Sequence, residues 1–169
     1  MEKVFKNFLI RDWCVGDRAT AATVVKTVLA EYGLGWEVNC GGCSDQDAVD
    51  VEKHYWETGG EFWVVERDGA VVGTGGYHPI ARGENAVEIR KMYLLPAVRG
   101  LGLGRYLLAQ LEQAAVAKGF AEAWVETATV LADAVKLYER NGYVSMEGVE
   151  TERCDKVYRK QMLKASAQL

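Results

Sequence analysis

The sequence predicts a single α/β domain over residues 1–169, with a mixed sheet of six to seven strands and about four helices. Two observations support this prediction. Short apolar runs with strand character alternate with stretches of helical periodicity in the second half of the chain. In the first half, Asp68-Gly69 separates two such runs and predicts a tight antiparallel hairpin. A chain of this length can bury its own core, and no repeat or linker divides it.

The first half of the chain is predicted to contain three strands and two helices. Gly16-Asp17 precedes a stretch whose apolar residues recur at helical spacing, and Gly33 ends it. Ser44 or Asp45 is expected to cap a second helix. The predicted elements are a strand at residues 8–11, a helix between 17 and 33, a helix from 44 or 45 to about 58, and strands at 61–66 and 70–77.

The second half is predicted to hold a strand–helix–strand unit, a further helix and a closing hairpin. The stretch from Glu88 to Thr127 needs a crossover connection, so its two strands are expected to be parallel. Gly119 and Asn141-Gly142 end the two helices. The predicted elements are a strand from 85 or 86 to 95, a helix at 103–118, a strand at 123–127, a helix at 131–140, and strands at 143–149 and 156–163.

The strand that ends at residue 95 changes its pattern along its length. Val87 and Ile89 are apolar at odd positions, whereas Met92 and Leu94 are apolar at even positions, and polar Lys91 interrupts the run. A change of face within one strand indicates a β-bulge, which we expect between Ile89 and Met92.

The turn after this strand, residues 99–104 (RGLGLG), is typical of an anion-binding site. Three glycines let a ligand approach the backbone closely because no Cβ intervenes. The helix that follows leaves the N–H groups of its first turn unpaired, and such groups bind phosphate well. A tight turn without a ligand is the alternative. We expect a phosphate to be bound by the N–H groups of Gly100, Gly102, Gly104 and Arg105, with charge from Arg99 and Arg105.

Single residues exclude two other phosphate-binding motifs. A P-loop needs Lys and then Ser or Thr after the last glycine, where the chain has Arg105 and Tyr106. A dinucleotide-binding turn needs a third glycine at position 107, which is Leu107. A nicotinamide-dependent oxidoreductase is therefore disfavoured.

Three segments of the chain resemble the GCN5-related N-acetyltransferases. Residues 99–104 match the R/Q-x-x-G-x-G/A signature of that family. Residues 88–94 (EIRKMYL) resemble its fourth strand, and residues 137–143 (LYERNGY) resemble its LYE-x-x-G-F/Y element. The resemblance is specific from about Glu88 to Tyr143.

The resemblance implies an enzyme that transfers an acetyl group from acetyl-CoA to a primary amine by direct attack in a ternary complex, without a metal. It also implies that the bulge opens a cleft for the pantetheine arm. Leu131 departs from the family pattern, in which an asparagine often bonds the cofactor, so that contact is expected to be absent or moved to Thr127 or Thr129. The cofactor-binding residues expected are Met92, Tyr93, Leu94, Arg99, Gly100, Leu101, Gly102, Leu103, Gly104, Arg105 and Thr127.

Two residues are candidates for catalysis. The resemblance places Tyr138 as the general acid, and a phenol with a pKa of about 10 can protonate a coenzyme A thiolate. Glu88 is the candidate base, directly or through water, because a charged residue between Val87 and Ile89 faces away from the core. The alternatives are an ordinary aromatic on a helix stripe and a solvent-facing glutamate.

The acceptor is expected to be a small-molecule or peptide amine, bound near the first two helices and the last hairpin loop. An arginine-rich pocket would suit an acidic acceptor, and Glu37 with Glu88 a cationic one; the sequence leaves both open. The alternative to an enzyme is an acyl-CoA sensor or docking module without turnover. The residues considered for the acceptor site are Trp36, Glu37, Tyr77, His78 and Arg153.

Composition excludes several other classes. A net charge of −4 without a basic run argues against nucleic-acid binding. No apolar run reaches membrane-spanning length and residues 1–7 lack the layout of a secretory signal, so we expect a cytoplasmic protein. Cys40 and Cys43 have CxxC spacing without a second Cys/His pair, which favours loop thiols open to air oxidation over a metal site. A homodimer is a further expectation, since dimers are common in the family.

Overall fold

The computed structural model describes residues 1–162 and shows one eight-stranded mixed sheet. The strands are β1 Glu2–Phe5, β2 Phe8–Asp12, β3 Glu61–Arg67, β4 Ala70–Ile80, β5 Ala86–Leu94, β6 Glu122–Thr127, β7 Val144–Met146 and β8 Lys156–Gln161; the α-helices are α1 Arg18–Glu31, α2 Leu103–Ala117 and α3 Ala132–Arg140. The strand order is β1-β2-β3-β4-β5-β6-β8-β7. The predicted α/β class is confirmed, with eight strands instead of six to seven.

Helices pack on both faces of the sheet. Successive residues of a strand point to opposite faces, so one strand supplies apolar side chains to both helix layers. Trp63 of β3 joins the apolar cluster that contains Leu107 of α2. Its neighbour Phe62 joins a separate cluster with Ala21 of α1. All four side chains are buried. The sheet therefore separates α1 from α2.

The cleft of the protein originates at a bulge in β5. The register of β4 and β5 shifts between Thr74 and Gly76, so that Lys91 and Met92 stand opposite the single residue Gly75. The bulge predicted between Ile89 and Met92 is confirmed. The parallel pairing of β5 with β6 is also confirmed, but it covers only residues 86–88 and 122–124. Beyond that point one edge of β5 is open.

The second predicted helix is much shorter than expected. Between residues 44 and 58 the chain forms a 3₁₀ turn, Gln46–Ala48, and a π-helical turn, Glu52–Trp56. Asp45 makes no capping bond, because both of its carboxylate oxygens accept hydrogen bonds from Arg153. Side-chain pairing outside the segment replaces the local cap that the sequence predicts.

The ends of the chain differ from the prediction. The edge strand β1 was not predicted, because it is only four residues long and its one branched apolar residue, Val4, is 70% exposed. β7 is three residues long, and the predicted end of the last strand at 163 lies outside the described residues. The hairpin at Asp68-Gly69 is confirmed, with φ of 53° and 78°. None of the helices in residues 1–162 is long and apolar enough to span a membrane.

Candidate active site

A cleft of about 720 Å³ opens where β5 and β6 separate. It is bounded by the open edge of β5, the glycine turn before α2, the end of β6 and α3. The predicted site residues that line it are Glu88, Met92, Tyr93, Leu94, Arg99, Gly100, Gly102, Gly104, Arg105, Thr127 and Tyr138.

Two predicted cofactor residues lie outside the lining. The side chain of Leu101 is 41% exposed to solvent, and that of Leu103 is buried in the core under α2. Between them, Gly102 faces the cleft. Leu101 faces solvent and Leu103 faces the core, so neither side chain contributes to the cleft.

The glycine turn has the shape that its sequence predicts. Gly100 and Gly102 have φ of 75° and 82°, in the left-handed region that side chains disfavour. Gly102 is the N-cap of α2 and provides no side-chain cap. The N–H groups of residues 100–105 have no hydrogen-bond acceptor among the described residues. Unpaired N–H groups at the start of a helix are donors that can bind an anion.

The two arginines beside this turn differ in what they contact. The Arg99 guanidinium donates two hydrogen bonds to the carboxylate of Glu31 on α1, at 2.6 and 2.8 Å. Its Nε donates to the carbonyl of Leu94 at 2.9 Å. Arg99 therefore braces the turn against α1 and β5, and most of its charge is compensated. Arg105 is exposed at the cleft and remains available to an anion.

Tyr138 reaches the cleft from α3. The residue is 6% exposed, and its hydroxyl makes no hydrogen bond within residues 1–162. Burial raises the pKa of Tyr138 well above that of an ordinary phenol, with smaller contributions from Tyr93 and Cys154. The hydroxyl is therefore protonated at neutral pH and has a free donor hydrogen.

Glu88 lies where two clefts meet. A second cleft, of about 630 Å³, shares Glu88, Arg90, Glu126 and Thr151 with the first. His78, which faces Glu88 from β4, borders only the second cleft. The Glu88 carboxylate is 17% exposed, which is consistent with a partly enclosed position.

A buried ion cluster beside the clefts was not predicted. We use this name for Asp45, Asp47, Arg90, Lys91 and Arg153. Arg153 Nη2 lies 2.6 Å from Asp45 Oδ1, and Arg90 Nε lies 3.2 Å from Asp47 Oδ2. Burial alone would raise the pKa of each aspartate, but the adjacent cations and hydrogen-bond donors outweigh it and lower both pKa values. The cluster joins the segment after α1, the bulge and the β7–β8 loop.

Glu126 is a further residue of the site that was not predicted. Its carboxylate accepts the N–H groups of Glu150 and Thr151, both at 2.7 Å, and pairs with Arg82 at 3.2 Å. Burial would raise the pKa of Glu126, but these hydrogen bonds lower it. The residue holds the β7–β8 loop at the border of both clefts.

The residues considered for the acceptor site lie in different parts of the structure. Glu37 and His78 line the second cleft. Tyr77 is fully buried in the core and lines neither cleft. Arg153 borders the first cleft, but Asp45 binds both of its terminal nitrogens and it is not free for an acidic acceptor. Trp36 packs against a buried cluster of Val25 and Leu29 from α1 and Ala48.

The cysteine pair lies near the second cleft. Cys40 and Cys43 form a disulfide, with Cα atoms 5.4 Å apart, and Cys43 lines that cleft. Residues 1–162 contain no cluster of His, Cys, Asp and Glu side chains suited to hold a metal ion.

A mixed sheet that splits between two parallel strands, with a glycine turn and an unpaired helix N-terminus at the split, defines the acyl-CoA N-acyltransferase class of folds. Residues 31–143 match the "Acetyltransferase (GNAT) family", and the chain belongs to that family. The sequence resemblance is thus confirmed.

Individual proteins resemble this chain in sequence or in fold. The chain is 36% identical over 140 residues to the Escherichia coli K12 protein named uncharacterized N-acetyltransferase YjgM, covering 80% of this chain and 81% of that protein. A GNAT acetyltransferase from Staphylococcus aureus Mu50 superposes with a TM-score of 0.82 at 16% identity, covering 92% and 99% of the two chains. PaiA N-acetyltransferase from Thermoplasma acidophilum, in complex with coenzyme A, has a TM-score of 0.70 at 18% identity, with 91% and 98% covered.

Proposed function

We propose that the protein is an acetyl-CoA-dependent N-acetyltransferase that acts on a primary amine by direct attack in a ternary complex. One observation carries the proposal: the unpaired N–H groups before α2 and the free Tyr138 hydroxyl line the same cleft. The first can hold a diphosphate and the second can protonate a leaving thiolate. Family membership and the coenzyme A complex of a structural relative support the choice of co-substrate.

The binding residues follow from the shape of the cleft. The N–H groups of residues 100–105 bind the diphosphate, aided by Arg105. The open edge of β5 at Met92–Leu94 offers backbone groups to the pantetheine arm, as a sheet edge does to an added strand. Leu131 lines the cleft and provides no polar group, so the main chain does most of the binding.

The chemistry requires two proton movements. Glu88 accepts the proton that the attacking amine loses as its nitrogen bonds to the thioester carbon. Tyr138 donates its hydroxyl proton to the sulfur as the carbon–sulfur bond breaks, and water restores that proton. His78, beside Glu88, provides a second acceptor toward the other cleft. The acceptor amine enters from the second cleft, which meets the first at Glu88.

Two measurements test the proposal. Calorimetric titration should show binding of acetyl-CoA and CoA but not of NAD. Release of free thiol from acetyl-CoA, followed across a library of primary amines, should identify an acceptor. Tight NAD binding without CoA binding would refute the proposal.

An acyl-CoA sensor without turnover is the second candidate, because Leu131 provides no cofactor hydrogen bond in the cleft. CoA binding without thiol release for any amine in the library would favour it. The cytoplasmic location and a homodimer remain predictions.

A further inference from the structure

Lys91 is a buried cation that the transfer itself does not use. It lies at the bulge of β5, with φ of 52° and a side chain that is 3% exposed. The left-handed backbone strains any residue other than glycine, and burial removes the water around an ammonium group. Contacts with the surrounding protein must therefore hold both the backbone and the charge.

Three oxygens surround the Lys91 ammonium. Its Nζ donates to the carbonyl of Ser44 at 2.7 Å and lies 3.1 Å from Asp47 Oδ1 and 3.3 Å from Asp45 Oδ1. All three partners are buried. They belong to the segment that follows α1, so Lys91 ties the bulge to that segment. Burial lowers the pKa of Lys91, and the two carboxylates oppose this shift.

The backbone carbonyl of Lys91 is also held. Thr74 of β4 is fully buried, and its Oγ1 donates to this carbonyl at 2.7 Å. In a planar trans peptide, the C=O of one residue and the N–H of the next point in opposite directions. The N–H of Met92 therefore points away from Thr74, toward the side on which β6 separates from β5.

The position of Met92 suits a role for that N–H in the cleft. It has no partner in the register of β4 and β5, and it lines the cleft. A backbone donor whose direction is fixed in advance suits a carbonyl oxygen on which negative charge develops.

We propose that Lys91 is a positioning residue: it fixes the Lys91–Met92 peptide so that the Met92 N–H binds the thioester carbonyl oxygen of acetyl-CoA. The inference rests on the proposed function. Lys91 does not touch the substrate, and it acts through the peptide that Thr74 holds from the other side.

The test compares acetyl-CoA with CoA, because only acetyl-CoA has the thioester carbonyl. Both affinities are measured by calorimetry on the full chain and on Lys91→Met, which keeps the chain length and removes the charge. Loss of one hydrogen bond should weaken acetyl-CoA binding about five- to tenfold and CoA binding less than about twofold. Lys53→Met, at an exposed lysine, is the control and should change neither affinity.

A spectroscopic readout reports the same contact. In the wild-type complex the infrared stretch of a ¹³C-labelled acetyl carbonyl should lie below its value in free acetyl-CoA, and in Lys91→Met it should return toward that value. A purely structural role would weaken both ligands equally and leave the bound carbonyl band unmoved. Either of those results overturns the proposal.

A second variant tests the proposal if Lys91→Met does not fold. Asp45→Asn keeps Lys91 and removes one of its charged partners, so it should show the same selective loss of acetyl-CoA binding, checked against an unchanged circular dichroism spectrum. If Asp45→Asn weakens both ligands equally, the role of Lys91 is refuted and the proposed function stands. If the wild-type chain binds neither ligand, the proposed function fails and this inference fails with it.

Discussion

His78 and Glu88 face each other across the pairing of β4 and β5, with His78 Nε2 3.4 Å from Glu88 Oε2. The imidazole nitrogen is buried and has no hydrogen-bond partner within residues 1–162. In the proposed mechanism His78 is the next acceptor for a proton that Glu88 takes up from the amine, because Glu88 borders both clefts.

Replacing the carboxylate should therefore slow the reaction without affecting cofactor binding. Glu88→Gln is expected to lower kcat about 100-fold or more, in the range of a lost general base. His78→Gln should give a smaller loss in the same direction. Thiol release with an accepted amine measures both, and Glu57→Gln at an exposed site is the control. Full activity of Glu88→Gln with every acceptor would eliminate Glu88 as the base.

Removing the Tyr138 hydroxyl should affect turnover and not affinity. Tyr138→Phe keeps the ring, which packs edge-on against Tyr143 at 5.5 Å, and is expected to lower kcat about 100-fold. The CoA dissociation constant, measured by calorimetry, should stay within about twofold, since the proton moves only during bond cleavage.

Tyr158→Phe is the matched control for Tyr138→Phe. The Tyr158 hydroxyl donates to Glu139 at 2.8 Å, and its ring lies 6.5 Å from that of Tyr138. Turnover in this variant should stay near the wild-type value. Equal losses in the two variants would contradict the acid role of Tyr138, because Tyr158 does not line the cleft.

A bulky residue at Gly104 should obstruct the anion site. A Cβ at this position would meet Leu94 and Leu137 at 3.6 and 3.7 Å, which are ordinary contacts, and the backbone is not left-handed there. Gly104→Leu should therefore fold but bind CoA at least about tenfold more weakly, a loss of about 1.4 kcal/mol or more. Calorimetry measures this loss. Gln113→Leu, exposed on the same helix, should bind normally; equal affinity of both variants for CoA would place the diphosphate elsewhere.

Stability at acid pH should depend on Asp17. Arg11 donates two hydrogen bonds to its carboxylate, at 2.7 and 2.8 Å, and the N–H of Cys14 donates another at 2.8 Å. The bond from Arg11 is the largest cause that lowers the pKa of Asp17 from 3.8 to about 2. Because the folded pKa lies below the unfolded one, the stabilisation is complete above about pH 4 and is lost as the pH falls toward 2.

Asp17→Asn should accordingly lower the free energy of unfolding at pH 7 by up to about 2 kcal/mol. It should also flatten the dependence of that free energy on pH between about 4 and 2. Urea denaturation across this range provides the measurement. Asp68→Asn, in the exposed hairpin turn, should retain the wild-type slope, and an unchanged slope in Asp17→Asn would contradict the prediction.

Local patterns predicted the parts of the site that depend on neighbouring residues. The switch of apolar face around Lys91 predicted the bulge, and the spacing of Gly100, Gly102 and Gly104 predicted the turn and the unpaired helix start. These features depend on the backbone conformation of a few consecutive residues, and the residue types at those positions predict that conformation.

The buried ion cluster could not be predicted in this way. Asp45, Lys91 and Arg153 come from three separate parts of the chain, and in sequence they look like any surface charges. Two weak signals were present: Lys91 interrupts an apolar strand, and Asp45 and Asp47 stand two residues apart.

By itself, the sequence determined the fold class and the family and predicted an anion-binding role for the glycine turn, because periodicity and glycine spacing lie in consecutive residues. Only the tertiary structure decided which charges are free. Arg99 is paired with Glu31, and Arg153 with Asp45, whereas Arg105 stays exposed at the cleft. An ion pair depends on distance in space, and partners 68 or 108 residues apart leave no trace in the local pattern.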